Sequence, residues 1–154
     1  MKILVFSDSH HYTSGMYCAI EAHHPDHIIH LGDLQEDAEE VARVYQQLPI
    51  CMVPGNCDGW GHALEPGKKR IQLGGKSILL AHGHQWRVKQ GYDHAIAEAR
   101  VAGVDLLLFG HTHVPYCTQL ADGLWVMNPG SCVSTYGVVT IEDGQLNCVV
   151  EKIP

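Results

Sequence analysis

The chain has 154 residues, 45% of them hydrophobic, enough for one compact domain over residues 1–154 with a real core and too short for two. A formal charge of −7 argues against binding nucleic acid or an anionic membrane surface, both of which call for a basic face. No stretch approaches the roughly 18 apolar residues that span a membrane, and the apolar run at 3–6 is too short for a secretory leader, so the expected location is cytoplasmic.

Apolar runs at 3–6, 28–31, 50–53, 78–81 and 104–109 are short and continuous, the pattern of strands buried on both faces. Between them, segments 16–23, 34–47 and 88–102 have helical spacing, the last turning Ala95, Ile96, Ala99 and Val101 inward. Strand–helix alternation predicts a largely parallel sheet with right-handed crossovers. Hairpins are expected about Gly74-Gly75, Asp122-Gly123 and Asp143-Gly144, where strand-like runs flank turn residues. A strand–helix half followed by a hairpin half suits two sheets packed face to face with helices outside. The hairpin edges leave pairing between subunits open. Six cysteines form no C-x-x-C pair and are expected to be thiols, mostly buried as small hydrophobes.

Twelve histidines against ten lysines and arginines point to metal or proton chemistry. Each of the five strand candidates is followed within a few residues by potential ligands: Asp8 and His10, Asp33, Asn56, His82 and His84, then His111 and His113. The carboxyl ends of parallel strands lie along one edge, where open α/β sheets bind ligands. Gly32, Gly55, Gly83 and Gly110 stand beside them and allow close backbone approach. An isolated Asp-x-His or His-x-His is commonly a turn or surface feature; five such elements at matching positions are the signal. Imidazole, carboxylate and amide donors without thiolate suit Mn, Fe, Zn, Co or Ni. With His84 set aside, seven ligands exceed the needs of one tetrahedral ion, whereas two ions sharing Asp33 would use them all.

Asp8-Ser9-His10, Gly32-Asp33, Gly55-Asn56, His82-Gly83-His84 and Gly110-His111-Thr112-His113 resemble, in order, the five signature motifs of the calcineurin-like metallophosphoesterases. The likeness runs from residue 3 to about 131, and Gly-Asn-Cys-Asp at 55–58 with Asn-Pro-Gly-Ser at 128–131 is similar to the small single-domain phosphodiesterases of that superfamily. The resemblance implies an α/β four-layer αββα sandwich, two mixed β-sheets flanked by helices. It implies two divalent ions, one held by Asp8, His10, Asp33 and His113 and the other by Asp33, Asn56, His82 and His111. Manganese is the expected metal, with Fe, Zn, Co, Ni and Mg as alternatives. The implied reaction is hydrolysis of a small phosphate ester by in-line attack of a hydroxide bridging the ions. Asn56 and His84 are the catalytic candidates, His84 by orienting substrate or supplying a proton or, alternatively, by hydrogen-bonding a ligand.

Cys57 stands where the protein-phosphatase branch has a histidine that assists the leaving group, so diesters or aryl esters are expected to be cleaved better than alkyl monoesters. Residues 132–136 carry no basic side chain, where relatives commonly have one after Asn-Pro-Gly-Ser. Asp58 is expected to orient a ligand, Trp125 to be core, and Trp60 and Trp86 to be packing or surface residues. Arg87 and Lys89 are expected to be solvated, and His62 is a weaker proton candidate than His84. The competing functions are a phosphomonoesterase acting on a phosphorylated metabolite or protein, and a protein-interaction scaffold of the same fold.

Overall fold

The continuous apolar runs become strands because both their faces are covered. The computed structural model describes residues 1–58 and 66–154; Trp60 and His62 lie outside the described residues. In the first sheet β1 (Lys2–Phe6), β2 (His27–His30) and β3 (Ile50–Met52) run parallel, and β9 (Thr135–Glu142) and β10 (Gln145–Lys152) extend it antiparallel in the order β10-β9-β1-β2-β3. The second sheet has the order β4-β5-β6-β8-β7, from β4 (Lys68–Leu73), β5 (Lys76–Ala81), β6 (Leu106–Leu108), β7 (Tyr116–Gln119) and β8 (Trp125–Asn128). Here β5, β6 and β8 are parallel, while β4 and β7 pair antiparallel at the edges. The five strand candidates therefore divide three and two between two mixed sheets instead of sharing one parallel sheet.

Ile3, Val5, Ile29 and Leu31 from the first sheet meet Ile78, Leu80, Leu106, Leu108 and Met127 from the second to form the central core. Outside the first sheet, α1 (Ser14–His23) and α2 (Gln35–Val44) cover Leu4, Phe6 and Ile28 with Met16, Ala19, Ile20 and Val41. Outside the second, α3 (Asp93–Ala102) lays Ala95 and Ala99 on Leu107, Phe109 and Val126. These are the four expected layers. None of the helices among the described residues is long and apolar enough to cross a membrane.

All three hairpins form. Gly74-Gly75 and Asp143-Gly144 are two-residue connections with positive φ throughout, matching the twist of the strands they join. The third predicted helix is shorter than its pattern. Residues 84–86 and 88–90 form two 3-10 turns, the chain breaks at Gly91, and α3 begins only at Asp93. Val101 is a correction: it is 89% exposed, on the face of α3 away from the sheet. The cysteines are a second, since only Cys132 and Cys148 are buried, while Cys18 and Cys57 are exposed. Trp125 is half-buried against the central core, and Trp86 is buried, donating from Nε1 to Glu98 at 2.9 Å.

Candidate metal centre

The carboxyl ends of β1, β2, β5 and β6 face the same edge of the sandwich, which brings residues far apart in sequence together. Asp8, His10 and His113 form one group and Asp33, His82 and His111 a second, with the ligand atoms of each group within 4.8 Å of one another. His82 Nε2 stands between the groups, 3.4 Å from Asp33 Oδ2 and 3.8 Å from Asp8 Oδ1.

Three of the candidate ligands, His82, Asp8 and Asp33, are aimed by hydrogen bonds behind them. His82 Nδ1 donates to the carbonyl of Leu31 at 2.8 Å, tying the second sheet to the first and turning Nε2 toward the centre. Asp8 Oδ2 accepts from Ser7 Oγ at 2.6 Å and from the His111 amide at 3.1 Å. Asp33 Oδ1 accepts from the Cys57 amide at 2.9 Å, leaving Oδ2 to face His82. Asp58 accepts four backbone N–H bonds, from Asp33, Leu34, Gln35 and Gly55, and so orients the Asp33 loop without joining either group.

Backbone approaches here are close enough to require glycine. A Cβ on Gly55 would meet Asp33 Oδ1 at 2.1 Å, and one on Gly110 would meet Ser7 Oγ at 2.0 Å. Asp8, His10, Asp33, His111 and His113 all have positive φ, between 46° and 69°. Five of the seven candidate ligands thus occupy the left-handed region, where Asp and His are tolerated best among residues with a Cβ but still carry strain. Strain concentrated at one edge is a mark of a functional site that sequence patterning could not have revealed.

The donor set fits cations. Among the described residues Asp8 Oδ1 is buried without a hydrogen-bond partner, although His113 Nε2 lies 3.2 Å away. An unpartnered buried carboxylate oxygen facing imidazoles is what a divalent ion would satisfy. The charge balance agrees. Burial works to raise the pKa of Asp33, but the hydrogen bond and charge of His82 outweigh it and hold the carboxyl well below the usual range. Burial likewise works to lower His82, and the carboxylates of Asp33 and Asp8 outweigh it and raise the imidazole. The raised imidazole and the lowered carboxyl are the two sides of one contact between His82 and Asp33. The Cys57 thiol is raised, by burial and then by the charge of Asp33, so it stays protonated and the donors remain nitrogen and oxygen.

Among the described residues, neither Asn56 nor His84 makes a hydrogen bond to a carboxylate or imidazole of the two groups. The Asn56 side chain is exposed and contacts the Cys57 thiol at 3.6 Å, while its neighbours Gly55 and Cys57 bond to Asp58 and Asp33. The His84 ring lies 5.6 Å from that of His82 and 6.1 Å from that of His111, with no hydrogen bond to either. Burial, then the charge of His82, lowers its pKa and favours the neutral ring.

Sequence reasoning missed two supports. His30 is fully buried and accepts from the Gly32 amide at Nδ1, so its Nε2–H faces Ser9 Oγ at 3.1 Å and couples the Asp8 and Asp33 loops. Its place within an apolar strand run disguised this. Asn128 donates to the Gly110 carbonyl at 3.0 Å and to Thr112 Oγ1 at 2.9 Å, and Ser131 Oγ donates to the Asp8 carbonyl at 2.8 Å, so residues 128–131 hold two ligand loops.

Burial lowers the His30 pKa to about 4, against the opposing charges of Asp37, Asp58 and Asp8. A neutral buried imidazole binds its proton more weakly than the unfolded chain does. Stability should therefore be full above pH 6.5 and fall as pH drops from 6.5 toward 4, by up to about 3 kcal/mol. Urea midpoints at pH 7 and pH 4.5 check this: His30→Gln should lose less stability on acidification than the wild type, and equal losses would contradict the assignment.

A model of the calcineurin-like phosphoesterase superfamily domain matches residues 1–144. The chain belongs to that superfamily. A probable metallophosphoesterase of Mycoplasma pneumoniae is 32% identical, covering 99% of this chain and 98% of its relative. The probable metallophosphoesterase YsnB of Bacillus subtilis is 28% identical over 93% and 86% of the two chains. Among solved structures, a predicted phosphoesterase of Streptococcus pneumoniae superposes with a TM-score of 0.76 at 24% identity, covering 98% of this chain and 88% of the other. Vps29 of Entamoeba histolytica, complexed with zinc, superposes with a TM-score of 0.77 at 19% identity over the whole of both chains. These superpositions show the calcineurin-like fold. Membership implies divalent metals and a phosphoester substrate.

Proposed function

We propose that this metallophosphoesterase is a dinuclear phosphodiesterase. Asp8, His10, Asp33 and His113 hold one ion and Asp33, Asn56, His82 and His111 the other, with Asp33 shared. The observation that carries this is the pair of three-residue groups linked through His82, one containing the unpartnered Asp8 oxygen. When bound, two divalent ions supply positive charge, grip phosphate oxygens and acidify water for in-line displacement. Manganese is the first choice for this nitrogen and oxygen donor set. A small phosphodiester as substrate and a cytoplasmic location complete the proposal.

The chain's own residues define the rest of the chemistry. The hydrogen bonds to Leu31, Ser7 and Cys57 pre-orient His82, Asp8 and Asp33, so little reorganisation is needed on loading. His84, facing the centre without bonding a candidate ligand, orients substrate through a hydrogen bond to an ester oxygen. Cys57 is a neutral thiol and a weaker acid than the imidazolium a histidine would present there, so turnover depends more on a leaving group stable by itself. Activated diesters meet that requirement better than alkyl monoesters. An archaeal phosphodiesterase shares the fold, with a TM-score of 0.69 at 21% identity, which is consistent with diester chemistry on this scaffold. The scaffold alternative is weaker because none of the seven candidate ligands is replaced.

Rates on bis(p-nitrophenyl) phosphate and on p-nitrophenyl phosphate, measured with manganese, test the preference. The diester should turn over at least about tenfold faster, and Cys57→His should narrow the ratio by raising the monoester rate. A wild-type monoester rate above the diester rate would replace this proposal with the monoesterase.

A further inference from the structure

Resting on the phosphodiesterase proposal, the anchoring of the turn that carries His84 gives a role to a residue outside the centre. The chain leaves His82 through Gly83 and enters the 3-10 turn His84–Trp86. The His84 ring lies 5.6 Å from that of His82 and bonds to no candidate ligand, so its place is set by the turn, and the turn is held by its other two residues. Gln85 Oε1 accepts from the Gly83 amide at 3.3 Å, and Gln85 Nε2 donates to the Gly67 carbonyl at 3.1 Å, just before β4. A Cβ on Gly67 would stand 2.9 Å from that Nε2, so glycine makes room for it.

Trp86 is buried, and its indole Nε1 donates to Glu98 Oε2 at 2.9 Å. The other oxygen of that carboxylate, Oε1, accepts from Lys68 Nζ at 2.9 Å, and the same ammonium lies 5.5 Å from the centroid of the Trp86 ring, within cation–π range. Glu98 follows Ala95 by three residues on α3, on the side that faces the second sheet, and so joins the helix to the start of β4 and to the His84 turn through one side chain. Stability does not account for the arrangement. The side chains of Lys68 and Glu98 are 39% and 41% exposed, and an ion pair so open to water contributes little to folding. The indole N–H is different, because it belongs to a buried ring: without an acceptor it favours movement of the ring toward water, and the turn moves with it.

We infer that Glu98 is a positioning residue for the reaction: by holding the Trp86 indole and Lys68 it fixes the turn that presents His84, and so sets how well that imidazole meets an ester oxygen of the bound substrate. Glu98 itself touches neither group of candidate ligands. Its effect on turnover passes through His84, which is what distinguishes it from a residue that merely supports the fold.

The test is a double-mutant cycle on manganese-loaded protein with bis(p-nitrophenyl) phosphate. Glu98→Ala should lower kcat about tenfold and leave KM within about twofold, the mark of a misplaced group that acts in the transition state. In a His84→Ala background the same substitution should change kcat by less than about twofold. Glu98→Gln, which keeps an acceptor for the indole, should retain at least about half of the wild-type kcat. Arg100→Gln, which breaks the pair with Asp122 on the same helix, should match wild type. An unchanged kcat in Glu98→Ala, or an equal drop with and without His84, overturns the inference. Turnover of the monoester alone would sink the phosphodiesterase, and the same cycle on p-nitrophenyl phosphate would still decide the role of Glu98. In a protein that cleaves neither ester, hydrogen exchange decides it: the amides of Trp86 and Val88, both bonded to the Gly83 carbonyl, should exchange at least about tenfold faster in Glu98→Ala than in Arg100→Gln, and equal rates overturn the inference.

Discussion

Asp33→Asn should abolish diester turnover, lowering kcat/KM by at least about a thousandfold, while leaving the fold intact. Asp33 is buried, faces His82 with Oδ2 and carries the negative charge nearest that imidazole. An amide of the same shape retains the acceptor for the Cys57 amide and places its NH2 toward His82 Nε2. In the metal-free protein that substitution keeps a polar contact to His82 at the same position, so thermal stability should stay within a few degrees of wild type. With metal, it removes one anionic donor from the position proposed to serve both ions, where charge and not shape is needed. Kinetics and a melting curve on the same preparation check both halves. A variant that keeps more than a tenth of wild-type activity would remove Asp33 from the shared position.

Asp58→Ala should give the largest loss of stability, about 3 kcal/mol, because a single carboxylate caps four backbone N–H groups that then lose their partner. Those amides hold Asp33 and Leu34, both at positive φ, and Gly55. Removing the carboxylate releases the strained turn that aims Asp33. Manganese affinity should therefore fall by about tenfold or more although no ligand is changed. Asp58→Asn offers an acceptor to Leu34 and Gln35 through Oδ1 but presents a donor to the amides of Asp33 and Gly55, so its effect should approach that of alanine. Urea denaturation and metal titration give the two numbers. A stability loss below about 1 kcal/mol would mean that the turn is held by packing instead.

Much of the site was legible in the sequence because its ligands occur where the chain announces them. A continuous apolar run followed by glycine and Asp, Asn or His marks the carboxyl end of a buried strand, and the runs ending at Phe6, His30, Ala81 and Leu108 deliver six side chains to two groups. Asp58 was expected to orient a ligand, and its carboxylate accepts from the amides of Asp33, Leu34, Gln35 and Gly55. What could not be read was partner choice. Runs buried on both faces look alike, so nothing local says that β5 and β6 belong to a second sheet; the edge strands β4 and β7 and the inter-sheet core decide that. Local period misled where helix and turn compete: the pattern from 88 to 102 continues through Gly91, yet the 3-10 turns needed to wrap Val88 over Gly83 interrupt it and rotate Val101 outward. His30 and Asn128 were hidden for a related reason. A buried polar side chain is explained by its partner, and theirs come from loops distant in sequence.

The same logic explains how an acidic protein can serve an anionic substrate. The carboxylates of Asp8 and Asp33 are buried together at one edge, and their charge is met inside the site rather than on the surface. Those carboxylates raise the pKa of the His82 imidazole that faces them, against the effect of its burial. Metal and protons compete for imidazole ligands, so affinity for manganese should rise with pH.

The most direct test of the two-ion centre is the number of ions held by the folded wild-type chain. Protein stripped with chelator, saturated with manganese and freed of excess should carry two ions per chain by elemental analysis, both located by anomalous scattering, one in each group. Saturation at a single ion, or at none, in protein whose melting curve shows it folded would contradict the dinuclear centre.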